Sequence, residues 1–203
     1  MLSHDDVVRW YGPWRRRTPD DAAALLSGYP GAWWIAGGWA VEAFTGAPRP
    51  HGDLDLSIPV ADTPLLHEHL HGRLDVWAAF DGALRPLLTP RQVLPAGCSN
   101  LWLRADGASP WVYDVLLMTA DGADWVYKRD ARVRRPLAEL VWERDGVRYL
   151  RPEVQLLHKA AALRDVDRVD AEAALPLLDA PARSWLRSAL STAHPQHPWL
   201  ERL

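Results

Sequence analysis

The run from Gly37 to Leu56, GGWAVEAFTGAPRPHGDLDL, constrains the fold of this 203-residue chain more than any other segment, because it joins a Gly-Gly helix entry to two aspartates one residue apart. In DLDLSIP, Asp53 to Pro59, apolar and polar residues alternate. A strand here points Leu54, Leu56 and Ile58 to one face and Asp53, Asp55 and Ser57 to the other, so the two carboxylates lie side by side. Left alone they repel, and one tends to take up a proton; a divalent cation between them reverses that cost and favours oxygen ligands of this kind. Upstream, AWWIA (Ala32 to Ala36) reads as a short buried strand and WAVEAF (Trp39 to Phe44) as the helix after it, with Gly37 and Gly38 at the turn. Glycines there allow close backbone approach, and the N–H groups at a helix start attract phosphate. Each half also has an ordinary explanation: most Gly-Gly pairs only make a turn, and aspartates on an exposed strand face are commonly just solvated.

The two halves in this order resemble the nucleotidyltransferase superfamily that includes DNA polymerase beta, with its Gly-Gly or Gly-Ser helix entry followed by a D-x-D or D-x-E strand. The gap between Gly38 and Asp53 is longer than in minimal members. It is similar to that of the aminoglycoside 2''-nucleotidyltransferase and lincosamide nucleotidyltransferase subgroup, where GGWA precedes an R-x-H-x-D-x-D segment, here Arg49, His51, Asp53 and Asp55. The resemblance implies an α+β nucleotidyltransferase fold, a mixed sheet with flanking helices plus a C-terminal helical domain. It also implies a third carboxylate on a neighbouring strand. WVYDVLLM, Trp111 to Met118, is the most strand-like run of the chain, and Asp114 within it would be costly to bury unless paired or metal-bound. A hydrogen-bonded structural aspartate is the plain alternative.

What the resemblance implies for mechanism is a pair of magnesium ions on Asp53, Asp55 and Asp114, with ATP or another nucleoside triphosphate as co-substrate, in an in-line displacement. Asp114 would double as general base toward an acceptor hydroxyl. Gly37 and Gly38 would hold the β- and γ-phosphates, and Arg49 and His51 would steady the phosphates or the D-x-D strand; the alternative for the last two is a solvated loop position. Lys159, in EVQLLHKAAALR, matches a lysine that members carry on the first helix of the C-terminal domain, facing the cleft; the alternative is a solvated helix lysine. The R-P-K-D-x-x-D segment that often follows in the family is only partly present. Arg164, Asp167 and Asp170 match, the proline and second lysine do not, and these residues are expected to order helices rather than touch substrate.

A formal net charge of −3 implies no broad basic patch, which weighs against a nucleic-acid backbone as partner. The single cysteine, Cys98, excludes an internal disulfide, and it has no evident base partner that would make it a nucleophile. No leader and no apolar run long enough to span a bilayer is recognised, so a cytoplasmic protein is expected. Most of the twelve tryptophans are expected in the core, with a minority available to stack on a flat or sugar-like ligand.

Helices are expected at Asp5 to Tyr11 and from Thr18, where Thr18 is the N-cap, Pro19 the first helical residue and Asp21 the capping-box acid. A helix over Asp62 to His71 follows the D-x-D strand. Strands are expected at Leu74 to Phe80, Leu84 to Leu87, Asn100 to Arg104, Asp124 to Lys128 and Val147 to Leu150, separated by Asp-Gly or proline-rich turns. From Pro152 the pattern turns helical, with further helices at Ala171 to Leu178 and Ala182 to Ala193, so the domains divide near Leu150 into 1–150 and 151–203.

One motif competes. His67, Glu68 and His71 spell H-E-x-x-H, the zinc-peptidase signature. The helix holding it spans barely two turns, its packing is explained by Leu65, Leu66 and Leu70, and its histidines are expected to face solvent. The His-Pro-rich tail, His194 to Leu200, reads as a terminus docking Trp199. The expected activity is transfer of AMP to a hydroxyl of a small molecule, an aminoglycoside-like or lincosamide-like antibiotic. The alternatives are a tRNA or protein acceptor, a nucleotide-binding protein without turnover, and the zinc peptidase.

Overall fold

The computed structural model describes residues 4–203. In chain order its elements are α1 (His4–Tyr11), α2 (Pro19–Leu25), β1 (Trp34–Ile35), α3 (Gly37–Thr45), β2 (Asp55–Pro59), α4 (Thr63–Leu70), β3 (Asp75–Phe80), β4 (Ala83–Pro86), β5 (Asn100–Arg104), β6 (Trp111–Met118), β7 (Ala120–Asp121), β8 (Asp124–Val126), β9 (Arg134–Pro136), β10 (Val141–Arg144), β11 (Val147–Leu150), α5 (Pro152–Ala160), α6 (Asp165–Ala174) and α7 (Ala180–Ala193). The chain divides into two compact units, one running up to Trp33 and again over His51–Met118, the other comprising Trp34–Pro50 and Thr119–Leu203. This division differs from the boundary near Leu150 expected from composition. The helices after Pro152 do not stand alone, because α3 packs against α5 and α6 and β1 pairs with β11.

In the first unit the strands lie in the order β2-β6-β5-β3-β4, with β2 and β6 parallel and the remaining neighbours antiparallel. Alternation decides its core. Leu56 and Ile58 of β2, Leu101 and Leu103 of β5, Val115 and Leu117 of β6, and Val76 and Ala78 of β3 are all buried. Helix α4 packs on β3 and brings Leu66 and Leu70, both fully buried, to that core. Leu65, expected among them, is exposed, since it lies one position from the buried stripe. Thr18 caps α2 as expected: its hydroxyl accepts from Asp21 N–H, and the Asp21 carboxylate accepts from Thr18 N–H at 2.9 Å. That reciprocal box holds the Asp21 carboxyl below its ordinary range. Trp111 anchors the segment after α1, with its indole N–H donating to Tyr11 O at 2.8 Å and its backbone bonded to Pro13 and Arg15.

The second unit has the order β10-β11-β1, with β1 and β11 parallel and β10 antiparallel, and a separate antiparallel ribbon β7-β8-β9. Strands β7, β9 and β10 were not expected from the sequence. β7 and β9 are two and three residues long, too short for a period to register, and β10 is charged at Glu143 and Arg144. Helix α6 starts at Asp165, earlier than the Ala171 expected, because Asp167 accepts from Arg164 N–H at 3.1 Å and closes its first turn. Trp199 docks as expected and is buried. The expectation that most tryptophans are core fails: only Trp34, Trp111, Trp125 and Trp199 are buried, and Trp10 is exposed. A large indole covers its ring while leaving an edge near the surface. Among the described residues no helix is long and apolar enough to cross a membrane.

Half-buried His158 on α5 packs edge-on to Trp125 at 5.6 Å and Tyr127 at 5.5 Å. Burial, with Lys128 and Arg129 nearby, pushes its imidazole down to about 3. The folded form holds it neutral while the unfolded chain titrates near 6.5, so its contribution is complete above that value and is lost as pH falls toward 3. Lowering the pH from 7.5 to 5 is therefore expected to cost up to about 2 kcal/mol through this residue. Urea midpoints of wild type and His158→Phe at the two pH values check it: the variant should lose less than wild type, and an equal loss contradicts the assignment.

Candidate active site

Strand pairing puts the acids together. Asp55, the first residue of β2, is the register partner of Asp114 on the parallel β6. Parallel neighbours at about 4.8 Å with matching pleat send both side chains to the same face. Both carboxylates are half-buried. The register continues across the sheet, Asp114 opposite Trp102 on β5 and Trp102 opposite Trp77 on β3, so two acids and two indoles form one row. Asp53 lies two residues before the strand and is exposed. The expected strand over Asp53 to Pro59 is thus shorter, and Ser57, expected on the polar face, is fully buried.

Asn100 holds Asp114. Its Nδ2 donates to both carboxylate oxygens, at 2.8 and 3.1 Å, and Ser99 Oγ lies 2.8 Å from Asn100 Oδ1. A donated hydroxyl proton from Ser99 fixes the amide so that its NH₂ faces the acid. Asn100 was not among the residues expected in the site. Its signal was present in the alternation of β5, which puts Asn100 and Trp102 on one face, but only the register shows that this is the face of Asp114.

Asp55 and Asp114 offer hard oxygen donors in register. Among the described residues no three His, Cys, Asp or Glu side chains are grouped to hold a metal ion by themselves. Two carboxylates suit magnesium, which binds through one or two of them and completes its shell with water and substrate phosphate. The donor set therefore fits such an ion, not a closed protein cage.

Beside Asp114 the first unit opens a cleft of about 380 Å³, lined among others by Tyr11, Asp81, Asn100, Trp102 and Asp114. Cys98, next to it in sequence, has its thiol pushed up by burial, which supports the expectation that it is no nucleophile.

Gly37, Gly38, Arg49 and Lys159 belong to the second unit. Gly37 has φ +66°, a conformation that requires glycine, and it begins α3 itself rather than preceding it. Its N–H donates to Gln155 Oε1 at 2.7 Å, a partner the sequence did not reveal. Arg49 is not a solvated loop residue: its Nε and Nη2 donate to Asp170 at 2.9 and 3.1 Å. Nor is Lys159 solvated. It is buried, with Nζ 3.0 Å from Asp167 and 2.7 Å from Asp170, while Arg164 pairs with Asp167 at 2.8 Å. The run Arg49, Asp170, Lys159, Asp167, Arg164 is one ion-pair chain tying the segment after α3 to α5 and α6. His51 falls in the first unit and is half-buried.

The H-E-x-x-H segment does not form a zinc pair. His67 is buried, contrary to expectation, and its Nε2 is 2.7 Å from Leu87 O. α4 ends at Leu70, and His71 follows in an extended conformation, exposed. The two rings therefore do not share the helical face that the motif needs.

No curated protein sequence matches the chain. Solved structures similar to it include the lincosamide antibiotic adenylyltransferase LnuA in its lincomycin-bound form, 17% identical over 75% of this chain and 90% of the other, with a TM-score of 0.49. Another is ANT(2")-Ia in complex with adenylyl-2"-tobramycin, 18% identical over 82% of this chain and 90% of the other, with a TM-score of 0.49. The model of the family described as aminoglycoside-2''-adenylyltransferase matches residues 21–173, a span that contains the Gly-Gly entry, all three aspartates and Lys159. The chain belongs to the aminoglycoside-2''-adenylyltransferase family and is a nucleotidyltransferase.

Proposed function

We propose that the protein transfers AMP from ATP to a hydroxyl of a small antibiotic of aminoglycoside type. The observation that carries this reading is the register pairing of Asp55 with Asp114 inside the family match. Adenylyl transfer in this family calls for a nucleoside triphosphate and a divalent ion; the finer reading, two magnesium ions held by Asp53, Asp55 and Asp114, is ours. Bound there, the ions would neutralise the triphosphate and the departing pyrophosphate. Asp114 accepts the acceptor hydroxyl proton, the acceptor oxygen bonds to the α-phosphorus, and the bond from that phosphorus to the pyrophosphate oxygen breaks. Asn100, by donating to both oxygens of Asp114, keeps that carboxylate in one orientation through the step.

Gly38 and the following N–H groups at the start of α3 are the better candidates for phosphate, because the Gly37 N–H already has Gln155. Arg49 and Lys159, engaged with Asp170 and Asp167, support a role in ordering the second unit. His51 remains a candidate for steadying the segment that leads into the aspartates. A tRNA acceptor is disfavoured by the net charge of −3 and by a cleft that no Lys, Arg or His lines among the described residues.

The test is incubation with magnesium, each of the four nucleoside triphosphates and a panel of hydroxylated antibiotics, read by mass spectrometry for a nucleotidyl adduct and by pyrophosphate release. An adduct of AMP on an aminoglycoside is expected; no adduct and no pyrophosphate with any acceptor overturns the reading. Asp55→Asn is expected to weaken magnesium-dependent nucleotide binding by at least about tenfold, a loss of one charge-assisted contact. Calorimetric titration with ATP in the presence and absence of magnesium measures it, and unchanged affinity removes Asp55 from the metal site.

A further inference from the structure

The cleft beside Asp114 has a second acid that neither the family motif nor the expected site includes. Asp81 and Gly82 form the turn between β3 and β4, with φ values of +46° and +72°, the two positive angles of a type I′ hairpin. Asp-Gly is a preferred pair for this turn, so the hairpin accommodates an aspartate here without strain and holds its side chain at the tip. The turn is held: Tyr11 Oη donates to Gly82 O at 2.5 Å, fixing the tip of the hairpin to α1. On the other side lies Gly97, at φ +76°, adjacent to the carboxylate. A Cβ placed there would come within 3.8 Å of Asp81 Oδ2.

Asp81 is exposed and has no ion-pair partner among the described residues. Among the described residues, the side chains lining the cleft that are charged at neutral pH are Asp81 and Asp114, and no described Lys, Arg or His contributes. Such a cleft repels a triphosphate and attracts a cation. Trp102 and Tyr11, edge-to-face at 5.7 Å, add an aromatic wall that also suits a cationic or sugar-like ligand.

We propose that this cleft receives the acceptor and that Asp81 is a specificity-determining residue, binding a protonated amine of the acceptor while one of its hydroxyls faces Asp114. The inference rests on the reading of Asp114 as the base for AMP transfer. It assigns acceptor choice to the β3–β4 hairpin, an element separate from the D-x-D strand. Amine-bearing acceptors are favoured over neutral polyols of the same size, and the preference weakens as salt screens the exposed carboxylate.

The experiment compares wild type, Asp81→Asn and Asp81→Lys with kanamycin as the probe acceptor. Steady-state pyrophosphate release with saturating magnesium-ATP is combined with calorimetric titration of kanamycin into protein without nucleotide. Asp81→Asn is expected to raise KM and Kd for kanamycin about tenfold, as the loss of one charge-assisted contact does, with kcat and the KM for ATP unchanged. Asp81→Lys should weaken binding further, and both effects should shrink at high ionic strength. Kanamycin binding that weakens in the variants without any turnover in wild type sinks the reaction and leaves the cleft assignment standing. Turnover with kanamycin KM and Kd unchanged in both variants overturns the inference alone. No kanamycin binding to wild type also overturns it.

Discussion

Replacing Asp114 with asparagine is expected to lower kcat for AMP transfer by about 10²- to 10⁴-fold, the usual contribution of a positioned general base. The change is close to isosteric, and Asn100 Nδ2 can still donate to the remaining carbonyl oxygen, so the cleft keeps its shape. What disappears is the capacity to take the acceptor proton. The KM for the acceptor should therefore move little, and the affinity for magnesium-ATP, which loses one carboxylate of the proposed metal set, should fall by much less than kcat does. Single-turnover kinetics with magnesium-ATP separate the two effects. A variant that binds both substrates and turns over at the wild-type rate would show that the proton leaves by another route. The contrast with Asp55→Asn is informative, because that change is expected to act first on nucleotide binding; two identical profiles would mean that the two acids share one role.

The second large effect is one of stability, not chemistry. Asp170→Ala removes the carboxylate that accepts from Lys159 Nζ at 2.7 Å and from two nitrogens of Arg49. Lys159 is then left, 5% exposed at its side chain, with Asp167 alone, and Asp167 already serves Arg164. Breaking a buried pair from one side typically costs about 3–5 kcal/mol, because the remaining charge stays desolvated. Lys159→Met should cost less. Both carboxylates would keep an arginine, and the thioether chain fills the same volume. Urea unfolding of the two variants checks the order, and a Lys159→Met more destabilised than Asp170→Ala would contradict it. The same pair reports on phosphate binding: if Lys159→Met folds well and keeps its KM for ATP, the lysine is structural.

Local rules read several elements well. Thr18-Pro-Asp-Asp carries its capping box in four consecutive residues, and it forms. Trp111 to Met118 and Asn100 to Arg104 are strands over the lengths expected, since aromatic and aliphatic residues with period-two burial specify a pleated surface. His67 shows the limit. A motif of two histidines and a glutamate was visible, but the extended conformation at His71 and the carbonyl of Leu87 that takes up His67 were not. The compact units differ from a division near Leu150 for a related reason. Composition changes there, yet compactness depends on pairings such as β1 with β11, more than a hundred residues apart.

What the sequence determined by itself is the chemistry available: a Gly-Gly helix entry, two aspartates one residue apart and a third acid in an apolar strand. These are statements about residue type and spacing along one segment, and physical rules of that range suffice for them. The tertiary structure alone decided which partners each group has. Register chose Asp55, not Asp53, to stand opposite Asp114 and put Asn100 on the same face, because a shift of one residue would send every side chain to the other side of the sheet. Packing gave Lys159 and Arg49 partners in an ion-pair chain, since the acids that hold them come from a helix formed later in the chain. The hairpin tip brought Asp81, read in the sequence only as part of a turn, to the rim of the cleft that Asp114 lines.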